Sequence, residues 1–458
     1  MAIEKFFSPS SVAIIGASHT KGKIGYAIAE NFVRESFKGR VYAVNPDTTP
    51  IIGLPTYKNV LEIPDKIDLA VIVVPAVFVT KVLKECAKKK IPSIIIISSG
   101  FSEIGKQGEK LEQELKNILK KSKVNVIGPN CVGVYDSASK VDTLFLSLDR
   151  LKRPKQGSIA FVSQSGAVGS TILDWLAAEG VGISKFISYG NGVDVNETSL
   201  IEYLAKDKKT KVIALYLEGI KADGKEFMKV AKQVSKKKPI VVLKAGKTSK
   251  GSQAVASHTG SLAGSERIFA AVFKQTGIIE AQNWEELVDF SKALAMQPLP
   301  KSDRLAIVTN GGGYGVLATD EAERLNLELP EPSNRLKKSL QKKLPPYVSF
   351  HNPLDITGDA TTERYQTALE EILQKEFDGA IVITLMQVPT LDSKITDMII
   401  SMKKFGKPLL CCMTGSEFTE KAEKNLENNG IPVYQTPERA VRTFSALVYY
   451  AKKKKELM

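Results

Sequence analysis

Ser158-Ile-Ala-Phe-Val-Ser-Gln-Ser165-Gly166 is an apolar run that breaks into a turn of small residues, and a helical pattern follows over Val168 to Glu179. The same sentence is written twice more. Ser11-Val-Ala-Ile-Ile-Gly16-Ala-Ser18 opens the chain, and Arg304-Leu-Ala-Ile-Val-Thr-Asn310-Gly-Gly-Gly313 precedes a helical pattern over Val316 to Leu325. Each reads as strand, turn, helix.

A second pattern also recurs three times. Asp68-Leu-Ala-Val-Ile-Val-Val74 leads through a helix to Ile91-Pro-Ser-Ile-Ile-Ile-Ile, Lys211-Val-Ile-Ala-Leu-Tyr-Leu217 to Lys238-Pro-Ile-Val-Val-Leu-Lys, and Asp378-Gly-Ala-Ile-Val-Ile-Thr384 to Lys407-Pro-Leu-Leu-Cys-Cys-Met. Continuous apolar strands joined by a helix are the βαβ unit of a buried parallel sheet. The expected fold is α/β, with three doubly wound domains over residues 1–150, 151–298 and 299–458. Stretches rich in proline and charge near 150–156 and 296–302 mark the expected seams.

Composition narrows the class. Hydrophobic residues make up 43% of the 458, ordinary for a globular protein. The longest apolar stretch, Leu69 to Val79, is interrupted by Pro75 and too short to span a bilayer. Four cysteines show neither metal spacing nor a secreted framework, and no signal peptide opens the chain, so a cytoplasmic protein is expected. The net charge of +14 gathers partly at 88–90, 236–238 and 452–455, the first two at predicted helix ends. It suits polyanionic small molecules; no module or aromatic-interleaved basic stripe points to nucleic acid.

Residues 245–265 read A-G-K-T-S-K-G-S-Q-A-V-A-S-H-T-G-S-L-A-G-S, a run of small residues around His258, one of three histidines in the chain. The expected structure is a mobile loop over Gly246 to Gly264 that ends at a helix N-terminus, where anions are favoured. An imidazole that can be neutral near pH 7 is also a nucleophile. His258 is thus a candidate phosphoryl carrier or a surface histidine. The three middle strands end on Pro75-Ala76, Glu218-Gly219 and Leu385-Met386, so only the second copy carries a carboxylate. Glu218 stands where ligands bind in open α/β sheets, either orienting the imidazole or as a solvated loop residue. Ser165-Gly166 and Asn310-Gly-Gly-Gly313 supply helix N-termini, and Gly16 to Gly25, with Lys21 and Lys23, suits a nucleotide with several phosphates. The glycine pattern there is not a clean G-x-G-x-x-G, which weakens a dinucleotide-dependent dehydrogenase.

Ile127-Gly-Pro-Asn130-Cys131, Val162-Ser-Gln-Ser165-Gly166, Leu217-Glu218-Gly219 and Ser257-His258-Thr-Gly260 occur in the order found in the succinyl-CoA synthetase alpha subunit. The last third, with Asn310-Gly-Gly-Gly313 and Asn352-Pro-Leu-Asp355-Ile-Thr-Gly358, looks like that enzyme's C-terminal beta-subunit domain. The combination resembles the alpha subunit of the ADP-forming (NDP-forming) acetate–CoA ligase. The resemblance implies a Rossmann-like CoA-binding domain and two flavodoxin-like, succinyl-CoA synthetase-like domains. It implies conversion of acyl-CoA, most simply acetyl-CoA, with ADP and phosphate to acid, CoA and ATP. Carried over by motif, His258 is the phosphorylated nucleophile and Glu218 its orienting carboxylate. CoA would lie along Gly16, Ser18, Lys23, Pro46, Pro75, Ser99 and Asn130. Ser165 and Gly166, with Gly312 and Gly313, would hold the phosphoryl group, and His351 and Asp355 would stand near the site. No metal is expected on this chain: ADP/ATP and Mg²⁺ would belong mainly to a separate ATP-grasp beta subunit in an alpha2beta2 heterotetramer. His258 would then travel on its loop between two sites. A CoA-binding regulatory module without catalysis is the competing reading.

Overall fold

The structure, a computed structural model, describes residues 3–35, 37–259 and 266–458. Among these, strands gather into three largely parallel sheets. The first holds β1 (Ser11–Ile15), β2 (Arg40–Val44), β3 (Thr56–Tyr57), β4 (Leu69–Ile72), β5 (Ser93–Ile96) and β6 (Asn125–Ile127), in the order β3-β2-β1-β4-β5-β6. The second holds β7 (Gly133–Asp136), β8 (Val141–Asp142), β9 (Gln156–Ser163), β10 (Ile183–Ser188), β11 (Val212–Leu217), β12 (Ile240–Lys244) and β13 (Ile279–Ala281), in the order β13-β12-β11-β9-β10-β7-β8. The third holds β14 (Leu305–Thr309), β15 (Leu354–Asp355), β16 (Gly379–Leu385), β17 (Leu409–Thr414) and β18 (Val433–Tyr434), in the order β15-β14-β16-β17-β18. The first order is that of a dinucleotide-type Rossmann sheet. The other two, without β7 and β8, are flavodoxin-like. The three repeated strand pairs are neighbours in parallel register: Leu69 with Ser93, Ile213 with Ile240, and Ala380 with Leu409.

Compact units divide at Trp284/Glu285. The first, Met1–Trp284, contains two sheets because they share polar ties and a continuous apolar core. Val126 N donates to Asp194 Oδ2 (2.8 Å), Val195 N to Val126 O (3.0 Å) and Asn31 Nδ2 to Leu144 O (2.7 Å). Residues 133–142 edge the second sheet, with β7 antiparallel to β10. Buried charges hold them there: Lys185 Nζ lies 3.2 Å from Asp136 and 2.7 Å from Asp207, and Arg153 Nε 2.7 Å from Asp142. The second unit, Glu285–Met458, includes most of the helix Trp284–Met296, upstream of the expected seam. That helix is tied to the helix Pro437–Leu457 through Asp289 with Arg439 (2.8 and 2.9 Å) and to β18 through Lys292, which donates to Val433 O (2.8 Å).

The stretch expected as one long loop departs from that expectation. Ser249–Thr259 is a helix. Thr248 starts it, its Oγ1 accepting from Gly251 N (3.1 Å) and its carbonyl from Ser252 N (2.7 Å). Val255, buried against Gly246, anchors the middle. A cap and one apolar contact, with Gln253, Ala254 and Ala256 as tolerable helix formers, outweigh the serines and glycine. Gly260 and Gly264 lie outside the described residues.

Candidate active site

The carboxyl ends of β9 and β11 are where the strand order of the second sheet reverses, the usual ligand crevice of such sheets. β9 hands over at Ser163-Gln164-Ser165 to the helix Gly166–Ala178. Ser165 is its N-cap, and Gly166 is required by closeness: a Cβ there would lie 2.6 Å from Val132 Cγ2. β11 hands over to Glu218, which is buried. Gln164 joins the two strand ends, its Oε1 accepting from Glu218 N (2.8 Å) and Gly219 N (3.1 Å).

A cavity of about 660 Å³ opens there, lined from the first sheet by Val73–Pro75, Ile97–Ser99, Glu103 and Asn130–Val132, and from the second by Gln164–Ala167, Asn191, Glu218 and Lys221. Pro75, Ser99, Asn130, Ser165, Gly166 and Glu218 thus meet on one wall system. Gly16, Ser18, Lys23 and Pro46 do not line it. They form the neighbouring turn at the ends of β1 and β2, which reaches the cavity at Ile24. Gly16 has φ +95°, and a Cβ would meet the Val73 backbone at 3.0 Å. Asn45 Nδ2 pins this turn through Ala17 O (2.6 Å), and Ser18 Oγ accepts from Thr20 N (3.1 Å).

Charge in the cavity is balanced by neighbours that the sequence did not single out. Asn191 Nδ2 donates to Ser102 Oγ (3.1 Å), Glu103 Oε2 (2.8 Å) and Glu112 Oε2 (2.9 Å). Asn130, at φ +58°, donates to Asn191 Oδ1 (3.3 Å). Burial would raise Glu112, but hydrogen bonds from Ser102, Lys116 and Asn191 outweigh it and hold its carboxyl below the usual range. Burial lowers Lys221, against the pull of Glu112, Glu197 and Glu218. Burial, aided by the charge and hydrogen bond of Glu218, pushes the Tyr216 phenol up to about 12. Burial likewise brings Lys244 down to about 8 although Glu218 opposes this; its Nζ donates to Glu218 O (2.9 Å) and lies 4.5 Å from the Phe269 ring centre. Lys221 follows Glu218 by three residues, a signal legible in the sequence; Asn191 offered none.

His258 falls in the last turn of the helix Ser249–Thr259, and its side chain lies outside the described residues. That helix runs beside the turn Ser102–Ile104, whose Glu103 lines the cavity. In the second unit, Gly312 opens the helix Gly312–Arg324, and a Cβ on Gly312 would lie 2.7 Å from Asp355 Oδ2. Gly313 faces open space. His351 is exposed, with Nδ1 2.9 Å from Glu331 Oε2, and His19 Nε2 is 3.6 Å from Asp47. Among the described residues, no group of His, Cys, Asp and Glu could hold a metal, and no helix is long and apolar enough to cross a membrane.

Known proteins agree with this architecture. Family models match in chain order: a CoA binding domain over residues 10–137, a succinyl-CoA ligase like flavodoxin domain over 156–294, and a Ligase-CoA domain over 305–458. The chain is 42% identical to the alpha subunit of ADP-forming acetate–CoA ligase I from Pyrococcus furiosus, covering 99% of this chain and 98% of that one. It is 43% identical to the ADP-forming acetate–CoA ligase of Methanocaldococcus jannaschii, covering 97% of this chain but 62% of that one. The dinucleotide forming acetyl-coenzyme A synthetase 1 of Ca. Korarchaeum cryptofilum, solved in complex with phosphate and ADP, superposes with a TM-score of 0.93 at 38% identity, over 100% of this chain and 98% of that one.

Proposed function

This chain belongs to the ADP-forming acetate–CoA ligase family, and from that premise we propose that it is the acyl-transferring alpha subunit of such an enzyme. Acyl-CoA, acetyl-CoA first among candidates, enters with CoA along Gly16, Ser18, Lys23 and Pro46 and its thioester end toward Pro75, Ser99 and Asn130. A phosphate oxygen attacks the thioester carbonyl; the C–S bond breaks, leaving acyl phosphate and CoA thiol. A ring nitrogen of His258 then takes the phosphoryl group and releases the carboxylic acid. Phosphohistidine passes that group to ADP, giving ATP and free imidazole.

The observation that carries this reading is a cavity that gathers residues of both sheets of the first unit around a helix N-terminus and a buried carboxylate. Glu218 orients the imidazole and offsets the charge that it gains on phosphorylation. Ser165 and Gly166 hold the phosphoryl group at the positive end of their helix. Gly312 and Gly313 offer a second helix mouth, tempered by the Asp355 carboxylate beside Gly312. ADP and Mg²⁺ belong to a separate ATP-grasp beta subunit in an alpha2beta2 assembly. The free, buried thiols of all four cysteines suit a cytoplasmic enzyme.

Retention of Glu218 and His258 favours catalysis over a purely regulatory CoA-binding module. The test is ATP formation from acetyl-CoA, ADP and phosphate by this chain mixed with a separately purified ATP-grasp subunit. Activity only in the mixture is expected. CoA binding without ATP from any acyl-CoA of a panel would return the chain to the regulatory reading.

A further inference from the structure

Gln164 stands between the two halves of the cavity, and its amide has a fixed direction. Two backbone donors, Glu218 N and Gly219 N, converge on Oε1 at 2.8 and 3.1 Å. The oxygen must therefore be at that end, and the NH₂ group at the other. The side chain is 4% exposed and lines the cavity, yet Nε2 is buried and has no acceptor among the described residues. A buried donor without a partner is uncommon and costly, and such an atom calls for a ligand. The surroundings say which kind. Ser165 and Gly166 begin a helix whose positive end faces the same space, and Lys221 lines it beside the carboxyl groups of Glu103 and Glu218.

We infer that Gln164 Nε2 is a hydrogen-bond donor to an oxygen of the phosphate that enters the cavity, making Gln164 a phosphate-binding residue of the reaction. This rests on the function proposed above only for the naming of the step; the site itself needs only an oxyanion. The same side chain fixes the backbone of Glu218 from its other end. One residue therefore sets the spacing between the anion and the carboxylate proposed to orient His258.

The separating experiment uses Gln164→Glu, which keeps an oxygen to accept from Glu218 N and Gly219 N but replaces the donor with a second acceptor. Gln164→Met, similar in volume and lacking both functions, is the companion should the carboxylate disturb folding, which circular dichroism reports. Binding of inorganic phosphate to the full chain is measured by calorimetry, and the KM for phosphate in the reconstituted enzyme separately. Loss of one hydrogen bond to a charged group predicts phosphate affinity about 10- to 100-fold weaker in both variants, with the KM for ADP unchanged. Unaltered phosphate affinity in a folded variant, or no phosphate binding by the natural chain, overturns the inference. An inactive natural enzyme whose phosphate binding still depends on Gln164 would overturn the proposed reaction and leave this site standing.

Discussion

The turn after β9 and the turn after β14 start from the same plan and end as different objects. In both, an amide side chain at the strand's end accepts from the backbone of the next strand over: Gln164 from Glu218 N, and Asn310 from Leu385 N at 2.7 Å. The shorter Asn310 then turns its Nδ2 back to Leu385 O (3.3 Å), so both ends of its amide are engaged. The longer Gln164 reaches Gly219 as well and leaves Nε2 over. The helix mouth beyond Gln164 opens into a cavity; the one beyond Asn310 meets the Asp355 carboxylate. One added methylene, and a glutamate in place of a leucine, separate a turn that leaves an amide donor over from one whose amide serves the sheet.

The largest expected difference lies in the residues that the two amides hold. Glu218→Gln should lower turnover more than tenfold, within the roughly 10²–10⁴-fold typical of groups that manage protons or orient a base. Its thermal midpoint should stay near that of the natural chain. Unchanged turnover would make the Glu218 position as inert as that of Leu385 and erase the contrast.

Glycine substitutions sharpen it next. Gly166→Ala places a methyl 2.6 Å from Val132 Cγ2 on the cavity wall, whereas Gly313→Ala meets nothing within 4 Å. The first should raise the KM for phosphate or acyl-CoA about tenfold, equivalent to about 1.4 kcal/mol of binding. The second should change it less than about twofold, within the small effect usual for an uncrowded site. Steady-state kinetics on the pair decides; equal effects would mean that the two helix mouths are used alike.

Asn310→Ala inverts the readout. It strips partners from the N–H and C=O of Leu385 and should cost about 1–3 kcal/mol of stability in urea unfolding, with phosphate KM unaltered. A smaller loss would show the third sheet's amide to be dispensable.

The last contrast, confined to alkaline pH, concerns the next strand end, Lys244 on β12 against Thr414 on β17. Burial holds Lys244 near 8, while an unfolded lysine titrates near about 10.4. Between those values the unfolded chain binds more protons, so this group makes stability rise with pH from about 8 to about 10; below 8 both states are protonated and its contribution is flat. Lys244→Met should remove that rise, seen as a flatter urea midpoint between the two pH values. Thr414→Val should leave the slope alone.

Much of this was legible in the sequence because strand–turn–helix repeats are local. The apolar runs 12–15, 159–162 and 305–308 declare their strands, and the lone carboxylate at Glu218 stood out only because two other copies lacked it. What escaped depended on partners far along the chain. β7 and β8 are too short to show a period, and they join the second sheet through Lys185 and Arg153. The donor left over on Gln164 becomes visible only when Glu218, 54 residues away, occupies its other end. The helix around His258 was hidden by serine and glycine, because a cap at Thr248 and the anchor at Val255 outweigh weak propensity.

On the reading proposed above, this chain moves phosphate from solution onto His258. The most direct measurement is incubation of the full chain, mixed with a separately purified ATP-grasp subunit but without ADP, with acetyl-CoA and radiolabelled phosphate. Acid-labile, base-stable label is then sought on this chain. The expected label requires acetyl-CoA, is discharged to ATP when ADP is added, and is absent from His258→Ala while CoA binding survives. Label that persists in His258→Ala, or ATP synthesis by that variant, would contradict it.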